Sequence, residues 1–270
     1  MTEEILINVT PQETRVAVIQ QGVVQEVQVE RASARGLVGN VYMGRVIRVL
    51  PGMQSAFVDI GGGRAAFLHV ADIWGHRQDG GETKPIEKLL AEGQNLMVQV
   101  VKDPIGTKGA RLSTQVSVAG RLLVYLPQES HIGISQRIED EEERLQLREK
   151  LQQLLPSDIA GGFIIRTMAE AASDRELLTD VEYLRKLWKD IQDKAKSAAP
   201  AALLYQDLNL SLRVLRDFAN DETARILVDS RETFQKVREF ALEFTPNVAE
   251  RLEHYSGERP LLDLYGVEDE

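Results

Sequence analysis

The stretch from residue 37 to residue 115 constrains this chain most. It holds five short strand-like runs, at 41–49, 56–60, 65–69, 96–101 and 110–113, separated by Pro51-Gly52, Gly61-Gly62-Gly63 and other turn sequences. Strands this short with glycine-rich turns suit a small closed barrel, which hides the edges that an open sheet would leave unpaired. The pattern predicts a five-stranded OB-fold over residues 35–115. The segment 74–84 is polar and glycine-rich and predicts a mobile loop. The glycine triplet lacks the Lys-Ser/Thr of a phosphate-cradling P-loop and opens no helix, so it reads as a hairpin turn.

The flanks read differently. Residues 4–29 predict three strands, with Gln21-Gly22 as a turn. They have no complete partner sheet before residue 37. Pairing with strands after residue 200 would make a discontinuous domain, 1–34 and 201–270, with the barrel inserted. Between them, residues 116–200 predict an α/β domain. Its signals are a strand at 121–126, a helix over 139–155 with Leu147, Leu151 and Leu154 on one face, and a buried strand at 163–167. A capping box, Ser173 with Glu176, then opens a helix carrying Leu177, Val181, Leu184, Trp188 and Ile191. Residues 194–201 read as a linker. The last part predicts a helix through Leu208, Leu212, Leu215 and Ala219, a strand at 226–229, and a helix over 231–244, with no evident closing element. The fold class is α+β, multidomain.

Charge separates the parts. The 270-residue chain carries a formal net charge of −10, which argues against indiscriminate nucleic-acid binding. Residues 35–115 hold ten Lys/Arg and seven Asp/Glu, a net of +3, leaving −13 to the rest. A basic module inside an acidic chain is an RNA-binding signal. Cysteine is absent, so disulfides and thiolate metal sites are excluded within these residues. No apolar run reaches membrane-spanning length, and the N-terminus opens with acids rather than a basic leader. The expected location is the cytoplasm, with no membrane partner.

The strongest chemical cluster is Phe57, Phe67 and Lys108. An OB barrel grips single-stranded RNA by stacking bases on exposed aromatics beside a basic groove. The two phenylalanines fall in adjacent predicted strands, and Lys108 lies in the loop Gly106-Thr107-Lys108-Gly109. Both rings are equally compatible with the core of a small barrel. Arg166-Thr167 ends a predicted strand. A guanidinium beside a hydroxyl can receive a phosphate monoester, or the arginine can simply pair with a nearby acid. Arg137 carries the same ambiguity. Asp59 and Asp229 are candidate metal ligands, but no carboxylate constellation of the kind two-metal phosphoryl transfer needs is evident. His69, His76, His131 and His254 lack metal-ligand spacing. These residues offer binding chemistry, with no catalytic or metal-ligating residue assigned.

Several long motifs resemble the ribonuclease E/G family. They are Ile7-Asn8-Val9-Thr10-Pro11-Gln12-Glu13-Thr14-Arg15-Val16-Ala17, Gly39-Asn40-Val41-Tyr42-Met43-Gly44-Arg45-Val46, and Ala56-Phe57-Val58-Asp59-Ile60-Gly61. Val101-Lys102-Asp103-Pro104-Ile105-Gly106-Thr107-Lys108-Gly109-Ala110-Arg111-Leu112, Gly133-Ile134-Ser135-Gln136-Arg137-Ile138-Glu139 and Gly161-Gly162-Phe163-Ile164-Ile165-Arg166-Thr167 continue them. The resemblance runs through essentially the whole chain.

It implies an RNase H-like domain without catalytic function at 1–34 and 201–270, an OB-type RNA-binding barrel at 35–115, and a 5′-sensor domain at 116–200. It implies RNA contacts at Phe57, Phe67 and Lys108, and a 5′-monophosphate pocket at Gly120, Val124, Arg166 and Thr167. The family's full-length enzymes cleave single-stranded RNA with Mg²⁺ held by two aspartates in a further domain, and dimerise through a zinc-binding cysteine motif. No position here matches those aspartates or cysteines. The resemblance therefore implies no cofactor held by these residues, with Mg²⁺ and structural Zn²⁺ belonging to the full-length enzyme. The expected function is the RNA-binding, 5′-monophosphate-sensing half of an endoribonuclease, inactive by itself, with homo-oligomerisation open to the full-length protein. The alternatives are a freestanding RNA-binding module or regulator, and a scaffold subunit that uses its acidic surface.

Overall fold

Ile5-Leu6-Ile7 is a continuous apolar run, and a strand of that kind needs cover on both faces. It forms the centre of β1 (Glu3–Val9), which leads through tight turns into β2 (Glu13–Gln20) and β3 (Val23–Arg31). The three make an antiparallel meander, with Leu6 opposite Ala17 and Ala17 opposite Val27. The computed structural model describes residues 3–76, 84–156, 159–219, 222–244 and 246–269. Of the expected loop at 74–84, residues 77–83 lie outside these. Two units result: residues 1–35 with 208–270, and residues 36–207.

The second unit begins with the barrel. Its strands are β4 (Val41–Leu50), β5 (Ser55–Asp59), β6 (Ala66–His69), β7 (Asn95–Lys102) and β8 (Arg111–Ser113), with the short helix α1 (Ile86–Leu89) between β6 and β7. They pair in the order β4-β5-β6-β8-β7, and β7 pairs back onto β4. The sheet is thus a closed five-stranded barrel. Only β6 and β8 run parallel. Tyr42, Val46, Ala56, Val58, Ala66, Leu68, Val98, Val100 and Leu112 fill it, and Ile86 of α1 is fully buried against them. Gly44 faces this interior. A Cβ there would lie 2.6 Å from Val58 Cγ1, so the close strand crossing needs glycine.

Next come β9 (Val118–Ala119), β10 (Leu123–Leu126), β11 (Ile132–Ile134), α2 (Glu141–Leu154), β12 (Gly162–Ile165) and α3 (Asp174–Ser197). The strands form a sheet in the order β11-β12-β10-β9. Phe163, Leu123, Tyr125, Leu147, Leu151, Leu177, Val181, Leu184 and Ile191 make its core with the two helices. The expected capping box is present: Glu176 N donates to Ser173 Oγ, and Ser173 N donates to the Glu176 carboxylate at 2.9 Å. The helix it opens runs to Ser197, into the segment expected to be a linker. Lys194 and Lys196 in its last turn complement the helix dipole and support that extension. A further strand, β13 (Ala202–Tyr205), pairs antiparallel with β4 on the side away from β7. The second unit therefore ends at Asp207 rather than at residue 200.

The chain then returns to the first unit through α4 (Leu210–Asp217), β14 (Thr223–Val228), α5 (Arg231–Phe244), α6 (Pro246–Ala249), β15 (Leu252–His254) and α7 (Leu261–Leu264). β14 pairs parallel with β1 and β15 parallel with β14, giving the sheet order β15-β14-β1-β2-β3. Ile5, Ile7 and Val16 pack on one face with Val214, Leu215, Val237 and Ala241. Leu6, Ala17 and Ile19 pack on the other with Leu261 and Leu262. The architecture is a mixed α/β fold with an inserted closed barrel.

Candidate functional site

Strand alternation decides which way Phe57 and Phe67 point. Ala56, Val58, Ala66 and Leu68 are fully buried in the barrel, so the residues between them face outward. Phe57 and Phe67 are half-buried on that outer face and are direct cross-strand partners. Their rings meet edge to face, with centroids 6.3 Å apart and planes at 66°. They are not core residues. In an edge-to-face pair one ring keeps both faces clear of its partner and the other keeps one.

Pairing register extends this pair into a row. Arg48 on β4 is the partner of Phe57, Arg111 on β8 the partner of Phe67, and Lys102 on β7 the partner of Arg111. All three cations are exposed. The outer face therefore reads Arg48, Phe57, Phe67, Arg111, Lys102 across the strands. Arg111 is held by Asp72, with Nε–Oδ2 at 2.9 Å and Nη2–Oδ1 at 3.2 Å. The Asp72 hydrogen bond pushes the arginine's pKa above its ordinary value. Lys108 is exposed in a tight turn closed by reciprocal backbone bonds between Ile105 and Lys108. The turn is fastened to the barrel beside the rings. Arg64 Nη1 donates to Gly106 O at 2.7 Å, Phe67 N donates to Ala110 O at 2.7 Å, and Gly109 abuts the Ala65 carbonyl. The structure thus puts Phe57 and Phe67 on one face, with the turn that carries the exposed Lys108 fastened beside it. It adds Arg48, Lys102 and Arg111, which sequence reading missed because register is not written in any local motif.

Gly120, Val124, Arg166 and Thr167 come together at one end of the four-stranded sheet. Val124 pairs with Ala119 on one side and Ile164 on the other. Gly120 N donates to Leu123 O at 2.8 Å, closing a turn, and Arg166 N donates to Leu122 O at 2.9 Å. The Arg166 guanidinium spans the same turn, with Nη1 donating to Gly120 O at 2.6 Å and reaching Arg121 O at 3.4 Å. Thr167 follows at the start of a short 3-10 turn, half-buried. Arg137 is exposed.

Beneath the turn sits Asp180 of α3, 8% exposed. Its carboxylate accepts the backbone N–H groups of Arg121, Leu122 and Leu123 at 3.0, 2.9 and 2.8 Å. Burial pushes the Asp180 carboxyl above its ordinary pKa, opposed by these three hydrogen bonds and by the Arg166 charge. A Cβ at Gly120 would lie 2.5 Å from both Asp180 carboxylate oxygens, so glycine is what lets the turn reach them. Asp180 has one signal in the sequence. It is a single acid inside the apolar helical series Leu177, Val181, Leu184.

The other candidate acids have structural partners. Asp59 Oδ1 accepts from Gly61 N at 2.8 Å in the hairpin turn. Asp229 accepts from Asn8 Nδ2 at 2.5 Å and Val9 N at 2.9 Å. Among the described residues, no group of three or more His, Cys, Asp or Glu is placed to hold a metal ion. No described helix is long and apolar enough to cross a membrane.

Comparison with known proteins adds the following. A family model described as the ribonuclease E/G family matches residues 117–270. Ribonuclease G of Salmonella typhimurium (strain SL1344) is 50% identical over 277 residues, covering 100% of this chain and 56% of the relative. Ribonuclease G of Haemophilus influenzae is 48% identical, covering 98% of this chain and 55% of the relative. Ribonuclease E of Nostoc sp. is 34% identical, covering 93% of this chain and 36% of the relative. The chain spans about half the length of the ribonuclease G relatives it matches.

Proposed function

The chain belongs to the ribonuclease E/G family, and on that premise we propose that it is the RNA-binding and 5′-monophosphate-sensing half of a single-strand-specific, Mg²⁺-dependent endoribonuclease of RNA processing and decay. One observation carries the reading: the outward-facing Phe57–Phe67 pair, flanked in register by Arg48, Arg111 and Lys102, with Lys108 alongside. Aromatic faces accept unstacked bases and exposed cations accept the phosphates between them, at about 1–3 kcal/mol per stacked base. A duplex keeps its bases stacked internally and offers nothing to the rings.

The end pocket supplies the second part. An internal phosphate diester carries one negative charge, whereas a terminal monoester carries close to two and exposes a third oxygen. On this reading Arg166 supplies a guanidinium and Thr167 a hydroxyl. Gly120 and Val124 bring backbone close to them. Charge-assisted hydrogen bonds of this kind are worth about 1.5–3 kcal/mol, which corresponds to a preference of roughly ten- to a hundredfold. Mg²⁺ chemistry is assigned to no residue described here.

In the first unit, the sheet order and the parallel pairing of β14 with β1 and of β15 with β14 support an RNase H-like reading. Asn8 beside Asp229 leaves one carboxylate where that chemistry needs a cluster, consistent with a structural role. The 36–207 unit then comprises the RNA-binding barrel and the 5′-sensor. The test is a fluorescence-anisotropy titration with one short RNA carrying either a 5′-monophosphate or a 5′-hydroxyl. Tighter binding of the monophosphate is expected, and equal binding overturns the end-sensing reading.

A further inference from the structure

We propose that Asp180 is a positioning residue of the end pocket: by holding the backbone N–H groups of Arg121, Leu122 and Leu123, it sets the selectivity for a terminal phosphate without touching it. The proposal rests on the reading of Gly120, Val124, Arg166 and Thr167 as that pocket.

A carboxylate among Leu177, Val181 and Leu184 is poorly suited to a core, where an apolar side chain would cost no desolvation. It is well suited to gripping a turn. Three consecutive N–H groups converge on its two oxygens at 2.8–3.0 Å. The carbonyls of the same turn are held by Arg166, whose Nη1 donates to those of Gly120 and Arg121. The carboxylate takes the donors of residues 121–123 and the guanidinium takes the acceptors of 120–121, so the turn is clamped between opposite charges. Rotation of the turn would move Gly120, and with it the carbonyl that orients the Arg166 fork. The two groups named as phosphate contacts are therefore fixed relative to each other through Asp180. The closeness of Gly120 to Asp180 leaves no room for a Cβ, so two positions 60 residues apart serve one contact. Selectivity by a bidentate fork falls steeply with misalignment of a fraction of an ångström.

The experiment measures affinity for 5′-monophosphate and 5′-hydroxyl versions of one short RNA, with thermal melts, for the 270-residue chain and for Asp180→Asn and Gly120→Ala. Asn keeps the size but presents an NH₂ to the N–H donors. Ala keeps the charge and pushes the turn away. The expected result is that both variants reduce the preference for the monophosphate to within about twofold, while 5′-hydroxyl RNA, held by the barrel, binds as the wild type does. Wild type without a preference overturns the pocket reading itself. Wild type with a preference that both folded variants retain overturns the role of Asp180 alone, as does equal weakening of both RNAs. Loss of fold in both variants assigns Asp180 to stability rather than selectivity and also overturns the proposal.

Discussion

Truncating Phe57 or Phe67 to alanine separates a binding platform from a core, and the geometry gives the size of each effect. A fully buried Phe→Ala change costs about 3–5 kcal/mol of stability. Here both rings lie on the outer face, backed by the buried Ala56, Val58, Ala66 and Leu68. What is lost is one edge-to-face contact, about 0.5–1.5 kcal/mol, and roughly 1 kcal/mol of partial burial. Each single variant should therefore lose about 1.5–2.5 kcal/mol of stability and remain folded. The double variant should lose less than the sum of the singles by about the value of the shared contact, because the rings touch. RNA affinity should fall by about 1–3 kcal/mol per ring, roughly 5- to 150-fold in Kd. Urea denaturation beside an anisotropy titration with a short A/U-rich single strand reads both quantities. Unchanged RNA affinity together with a core-sized stability loss would refute the reasoning.

Arg166→Lys should lose most of the monophosphate preference although the charge remains, since an ammonium cannot reproduce the planar fork; equal weakening for 5′-hydroxyl RNA would contradict this. Lys108→Ala should shallow the salt dependence of single-strand binding, lowering the magnitude of the slope of log K against log[salt] by about 0.7. A slope identical to wild type would remove Lys108 from the phosphate contacts. The family resemblance matches no position of these residues to the metal-holding aspartates, and on that reading the highly purified 270-residue chain should leave a labelled RNA uncut in millimolar Mg²⁺. Metal-dependent cutting reproduced across preparations would refute that expectation.

The barrel was legible because its strands are punctuated by Gly and Pro and alternate cleanly. In 56–60, Ala56 and Val58 read inward and Phe57 outward, provided the phase is known. The phase is what the sequence lacks, and so Phe57 and Phe67 stood equally well as core or platform. The capping box at Ser173 and Glu176 located a helix start because it is a local hydrogen-bond pattern. Its end is not legible, since residues 194–201 read as a linker until Lys194 and Lys196 are seen in a last helical turn. The strand at 202–205 and the elements after residue 244 were missed because runs of three or four residues carry no periodicity. The row from Arg48 to Lys102 and the clamp between Asp180 and Gly120 depend on partners 9–60 residues apart, which no local pattern encodes.

The central claim is that the outer face of the barrel grips unpaired RNA, and one measurement tests it most directly. Wild-type chain is titrated at low salt with a single-stranded RNA and with the same sequence as a duplex. Preferential binding of the single strand, weakening steeply as salt is raised, is the predicted result. No measurable affinity for the single strand at low salt would contradict the account and leave the chain as a scaffold.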